Sequence, residues 1–182
     1  MKISFSASVY EHAAYVINKT PWEVSRNGEL MYQAHSAAYE LYRHIPIIVG
    51  IDIYNIEAEA YGGEVKPPDG IGIPAISVPL FHRIEDALNI KFFNPKTDGR
   101  IQMIIQCGRR LKKRFPDAKV CIPVSGPFSI ATSLRGGSEL LLDIIREPDK
   151  VREFLYLLAE GQMRFCEEIL DAGLDIALFE SA

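Results

Sequence analysis

Residues 45–65, IPIIVGIDIYNIEAEAYGGEV, decide how the rest of the chain is read. The apolar run Ile45–Ile51 predicts a short buried strand, and it ends on one carboxylate, Asp52. A helix is predicted over about Ile53–Tyr61, and Gly62-Gly63 ends it, since glycine takes the left-handed conformation at little steric cost. The carboxyl end of a buried strand opens into the ligand crevice of an α/β fold, so an acid placed there is a candidate for chemistry. Asp52 is therefore the candidate catalytic residue. The same position also suits a helix cap, in which an Asp oxygen accepts backbone N–H bonds.

Two more runs of the same kind follow. Lys119–Ser125 (KVCIPVS) and Asp175–Ser181 (DIALFES) are short and apolar, as buried strands are, and helical stretches separate all three runs. The order, α-α-β-α-β-α-α-β, predicts a parallel sheet with right-handed crossovers. The strands end on Asp52, Ser125 and Glu180-Ser181, which a parallel sheet collects on one rim. The fold class expected is α/β, the N-terminal part of a (β/α)8 TIM barrel with about three parallel strands; a whole barrel takes roughly 250 residues. Residues 1–44 form an N-terminal helical segment in this reading, and 45–182 a partial barrel.

The remaining elements come from periodicity and punctuation. Ser6–Asn18 predicts a helix capped by Ser6 or Ser8. Thr20-Pro21-Trp22-Glu23 carries a cap, a proline at the first helical position and an acid in the first turn. Gly28 is expected to interrupt that helix, which resumes over Leu30–Tyr42. Residues 66–79 hold four prolines and two glycines and are expected to be a loop or a set of short extended pieces rather than a core element, either a lid on the substrate side or plain surface. Ile84–Leu88 predicts a short helix. Asp98 is expected to cap a long one reaching Phe115. Ser129–Leu134, Ser138–Arg146 and Pro148–Ala172 complete the set.

Bulk properties narrow the function classes. The chain has 182 residues, 48% of them hydrophobic, enough for one sizeable core. A net charge of -4 gives no electrostatic grip on nucleic acid. The basic run Arg109–Arg114 reads as a solvated helix end that complements the helix dipole. Cys107, Cys121 and Cys166 are widely spaced and form no metal-ligand pattern, so free thiols in a reducing compartment are expected. No apolar run reaches the roughly 18 residues that span a bilayer. A cytoplasmic protein without membrane or nucleic-acid partners is the expectation.

Three segments carry a resemblance: Gly50-Ile-Asp52-Ile with Glu57-Ala-Glu-Ala-Tyr-Gly62-Gly63-Glu-Val65; Val124-Ser125-Gly126-Pro127-Phe128-Ser-Ile-Ala131; and Ala172-Gly173-Leu-Asp175 with Phe179-Glu180-Ser181. In this order and spacing they resemble the uroporphyrinogen decarboxylase superfamily, which also includes the cobalamin-dependent methyltransferases. In the decarboxylases, the resemblance implies, the acid matching Asp52 contacts the substrate's pyrrole N–H groups and acts in proton transfer. The sequence departs from the decarboxylase pattern at two places. Residues 22–42 offer Arg26 but no arginine-rich carboxylate-binding motif, and Ser133 stands where those enzymes carry a tyrosine. The Gly-Pro-Phe-Ser-Ile-Ala form looks more like the methyltransferases, which the resemblance implies move methyl groups from methyl-corrinoid proteins to a thiol or a tetrahydrofolate.

Candidate substrate-binding residues are Ser125, Gly126, Phe128, Ser133 and Glu180. Ser125 and Gly126 serve a tight turn, whose amides can also receive an anionic group. Phe128 is either core or a ring-stacking surface, and Glu180 either a pocket wall or a solvated strand end. Tyr54 and Tyr61 read as packing residues. No metal site is expected in this chain alone; zinc and methyl-cobamide are implied only for a complete barrel. The expected partners are a corrinoid protein or a small-molecule substrate, with a homodimer or a complementing barrel half to finish the fold. The alternatives are tetrapyrrole decarboxylation and an inactive barrel fragment.

Overall fold

A computed structural model describes residues 7–180. Three short helices open it: α1 (His12–Val16), α2 (Pro21–Ser25) and α3 (Gly28–Tyr42). The helix start expected at Thr20 is formed, and it is a full capping box. The Thr20 hydroxyl accepts the Glu23 amide at 3.2 Å, and the Glu23 carboxylate accepts the Thr20 amide at 2.9 Å. Gly28 does not interrupt a helix; it starts one. Asn27 caps α3 by accepting the amides of Glu29 and Leu30, so α2 and α3 are separate helices. The expected helix over Ser6–Asn18 contracts to the five residues of α1, whose cap position, Glu11, makes no side-chain bond. Ser6 lies outside the described residues.

The sheet is parallel, in the order β1 (Ile47–Ile48), β4 (Val120–Ser125), β5 (Asp175–Phe179). This is the partial-barrel arrangement the sequence predicts, with strands neighbouring in sheet order and helices on the crossovers. The expected strand over Ile45–Ile51 shrinks to its middle. Pro46 has no N–H for the ladder, and Ile45 is exposed. At the other end Gly50 turns at φ 143, a conformation that favours glycine. The Gly50 amide donates to His35 Nε2 at 3.1 Å, so α3 holds the bend.

Between β1 and β4 run a 3-10 turn (Ile53–Asn55), α4 (Ile56–Ala60), β2 (Val65–Lys66), β3 (Ala75–Ile76), α5 (Ile84–Ala87) and α6 (Ile101–Arg114). Residues 66–79 hold the short extended pieces expected there along with loop: β2 and β3 pair antiparallel at the base. Asp98 does not cap α6. Its carboxylate accepts the Asn94 amide at 2.7 Å, closing a turn, and α6 begins after Arg100 without a side-chain cap. The intervening Gly99, at φ 59, separates the two. Helices α7 (Pro127–Arg135), α8 (Gly137–Arg146) and α9 (Pro148–Asp171) connect β4 to β5.

One core joins the inner faces of α1–α3 to β1, β4, α6 and α9, with Met31, Ile47, Ile104, Ile122 and Phe165 fully buried. A second packs α7 and α8 on α9 through Ile130, Leu134, Leu140 and Phe154. Among the described residues, β5 pairs only with β4, and its outer edge carries no partner. Beside that edge Leu178 is 70% exposed, and Met163, Leu170 and Tyr156 on α9 are exposed as well. No helix of the described residues is long and apolar enough to cross a membrane. Arg110 and Arg114, from the basic run on α6, pair with Glu29 and Glu40 at 2.7 Å each and lie over Tyr32, as a solvated helix face does.

Phe165 sits in an edge-to-face contact with Phe93, their centroids 6.4 Å apart, at the junction of α9 with the sheet. Phe165→Ala should lower unfolding free energy by about 3–5 kcal/mol, the usual cost of emptying an aromatic site; urea denaturation measures it. A loss under about 1 kcal/mol would mean that α9 is not seated on the sheet as described.

Candidate active site

The carboxyl ends of the three strands do share one rim. Ser125 and Phe179 are register partners at the ends of β4 and β5, and Asp52 follows the Gly50 bend after β1. Asp52 does not cap a helix: its carboxylate makes no cap bond to the turn that follows. It is buried and grips Arg100 with both oxygens, at 2.5 Å to Nη1 and 2.6 Å to Nη2. Arg100 Nε donates to Glu59 at 2.7 Å. Arg26 donates to the other Glu59 oxygen and comes within 3.9 Å of Asp52. Asn55 Nδ2 bonds to Asp52 at 3.3 Å and to the Pro74 carbonyl at 2.7 Å. Two carboxylates and two guanidiniums thus form a closed cluster with no formal net charge. Burial works against the Arg100 charge, but Asp52 and Glu59 outweigh it and hold its pKa above the ordinary arginine value.

A crevice of ≈ 320 Å³ lies above this cluster, lined by Tyr10, Asp52, Tyr54, Asn55, Ile73 and Pro74, with Glu11 and Ala75 at its margin. Residues 73–75 belong to the loop expected to be either a lid or plain surface, and they form one crevice wall. Tyr54, expected to pack, is part of the same lining.

The other candidate residues lie across the rim. The Ser125 amide donates to Glu57 at 2.7 Å and its hydroxyl to the Ile53 carbonyl at 3.2 Å. The Gly126 amide donates to the Phe179 carbonyl at 2.6 Å. Both amides of this turn therefore face protein groups. The Glu180 carboxylate accepts the amide and hydroxyl of Ser129, each at 2.8 Å, in the first turn of α7, where the helix dipole favours an anion. It lies so close to Gly126 that a Cβ there would sit 1.2 Å from a carboxylate oxygen. Phe128 and Glu180 line a second, more open cleft of ≈ 480 Å³ with Pro127, Arg152, Leu155 and Tyr156. Ser133, one helical turn beyond Ser129, donates to the Ser129 carbonyl at 3.2 Å. Ser181 lies outside the described residues. The structure thus joins Phe128 and Glu180 in one cleft and places Asp52 at another.

Sequence reasoning missed Arg100, Glu59 and Glu57. A signal was present: the stretch Ile-Glu57-Ala-Glu59-Ala puts two acids into a small apolar helix, and buried acids require partners. Glu57 is fully buried, and burial pushes its carboxyl up to about 7, against the lowering pull of the Ser125 amide and of Arg100. His35 is driven the other way, to about 4, first by burial and then by the nearby His44. Burial pushes the Cys107 thiol up to about 12, as for an inert core cysteine. No group of three or more His, Cys, Asp or Glu among the described residues could hold a metal ion, so a zinc ion has no fitting donor set in them.

Parallel strands, helical crossovers and a polar rim at the strand ends define an α/β protein, here with the strand arrangement of a partial barrel. The family model of uroporphyrinogen decarboxylase (URO-D) matches residues 5–182, and the chain belongs to that family. Among solved structures it is similar to a methyltransferase from Methanosarcina mazei, with a TM-score of 0.82 at 19% identity. That match covers 96% of this chain and 52% of the other, so this chain spans about half the length of that protein. No curated protein is a significant match.

Two measurements probe the site. Asp52→Asn leaves the buried Arg100 with Glu59 alone and should cost about 3–5 kcal/mol in urea denaturation. A loss no larger than about 1 kcal/mol would mean that the pair is solvent-screened rather than buried. The native state keeps the Glu57 proton to about pH 7, whereas an unfolded glutamate releases it near its ordinary value of 4.5. Native stability from this group is therefore full below the unfolded pKa and is lost as pH rises through about 7, by ~3 kcal/mol in all. Glu57→Gln should flatten that fall in pH-dependent unfolding; parallel profiles for both proteins would refute the assignment.

Proposed function

We propose that this chain is the first strand–helix part of a corrinoid-dependent methyltransferase of the URO-D family, acting in the cytoplasm. The reaction would carry a methyl group from a methyl-corrinoid protein to a thiol or tetrahydrofolate acceptor, with loss of the acceptor's proton. The observation that carries this choice over decarboxylation is the charge balance at the rim. Arg26 and Arg100 are already matched by Asp52 and Glu59. A tetrapyrrole bearing many carboxylates needs cations that are free to receive them, and this cluster carries no excess positive charge. The Gly-Pro-Phe-Ser-Ile-Ala segment over residues 126–131 and the fold likeness to a methyltransferase support the same branch.

In this reading Asp52 acts from within its cluster, fixing the turn that forms the crevice floor. Tyr10, Tyr54, Ile73 and Pro74 give the crevice apolar walls suited to the flat face of a large cofactor. Glu180 holds the end of β5 against α7, which sets the position of Phe128 at the second cleft. The described residues fit no zinc ion, so no step is assigned to one. The exposed apolar strip along Leu178, Met163 and Leu170 would be covered by a further strand–helix unit from the half of the fold this chain does not span.

Isothermal titration tests the choice. Methylcobamide should bind the chain, and Tyr54→Ala should weaken it. A porphyrinogen analogue should give no heat. Porphyrinogen binding that disappears in Asp52→Asn, with no effect from methylcobamide, would reverse the assignment to a decarboxylase.

A further inference from the structure

Beneath the rim, where α4, β4 and α9 meet, three polar atoms have no hydrogen-bond partner in the protein: Glu57 Oε2, Tyr61 Oη and Gln162 Nε2. Glu57 is fully buried and Gln162 is 6% exposed. Several observations place the three at one junction. Glu57 and Tyr61 are a helical turn apart, at the two ends of α4, and the Glu57 charge acts on the Tyr61 hydroxyl. The Tyr61 hydroxyl rests on α9 at Gly161, where a Cβ would come within 1.9 Å of the oxygen. Gln162 is the next residue. Cys166, one turn further along α9, also feels the Glu57 charge. Gln162 and Cys166 also border, with Val124, the neighbour of Ser125, the open groove along the exposed apolar strip of α9 and β5.

An acid oxygen, a hydroxyl and an amide N–H₂ buried without partners are costly. Their donor and acceptor roles are complementary to those of a water molecule, which accepts two hydrogen bonds and donates two. Gly161 matters here because any side chain at that position would push the Tyr61 hydroxyl away.

We propose that Glu57, Tyr61 and Gln162 bind one internal water molecule that ties α9 to the end of β4 beneath the rim. The other Glu57 oxygen accepts the Ser125 amide at 2.7 Å. The water therefore completes a line of hydrogen bonds from α9 through Glu57 to the strand-to-helix turn that presents Phe128 and Ser129. Glu57 is a positioning residue for that turn. Arg100 is the cation whose charge acts on it, and Tyr61 and Cys166 are the titratable groups that feel it.

A crystal structure of the chain that resolves ordered water, with infrared spectroscopy in solution, tests the assignment. The crystal should show one water within hydrogen-bond distance of all three atoms. Three side chains bonded directly to one another, or a dry site, would overturn it. Well below pH 7, where Glu57 is protonated, its carboxylic C=O stretch is identified by its loss in Glu57→Gln. That band should shift in Tyr61→Phe, which removes one oxygen and leaves the packing. A water O–H stretch that moves to lower frequency on exchange into H₂¹⁸O should be present in the parent protein and displaced in Tyr61→Phe. Absence of such a band, or one that Tyr61→Phe leaves in place, would overturn the proposal.

Discussion

The double grip of Arg100 on Asp52 is the interaction on which the rest of the rim depends. It joins segments far apart in the chain: the turn after β1, the start of α6 and, through Glu59, the helix α4. Arg26 from the loop after α2 closes the cluster. Inside a protein such a group is stable only when its charges balance and its donors are used. Here two acids meet two guanidiniums, and Asn55 takes a remaining lone pair while holding the Pro74 carbonyl of the crevice wall. Removing Asp52 or Arg100 strands a buried charge, which ties the crevice shape to the integrity of the cluster.

A second buried acid sits below the first and works differently. Asp52 keeps its charge company with arginine; Glu57 has no such partner, and burial holds its carboxyl near neutrality in pH. Its bond to the Ser125 amide fixes the other half of the rim. The two halves thus rest on different physics, an ion cluster under the β1 end and a weakly acidic carboxyl under the β4 end. Glu180 supplies a third anchor from the end of β5, its carboxylate accepting the Ser129 amide in the first turn of α7.

Much of this could be read from residue types. Runs of β-branched residues separated by helical periods imply parallel strands, and the polar residues at their ends imply a common rim. Thr20 with Glu23 is a capping box in any context that permits a helix. Local signals failed where two readings competed at neighbouring positions. Asn27 displaced Gly28 as the boundary because a side-chain acceptor next to a glycine makes a better start than a break. Asp98 was taken by the turn at Asn94, which closes before α6 begins. The β1 ladder is shorter than its apolar run because Pro46 and Gly50 bound it.

The sequence by itself determined the α/β class, the family and the presence of an acid at the first strand end, since each depends on patterns within a few residues. Only the tertiary structure decided what that acid does. Asp52, Arg26, Glu59 and Arg100 come together across as many as 74 positions, from 26 to 100. Nothing in local propensity records which buried charges will meet. Their pairing follows from the need to neutralise them once the helices pack, and the same packing left polar atoms of Glu57, Tyr61 and Gln162 buried without a protein partner.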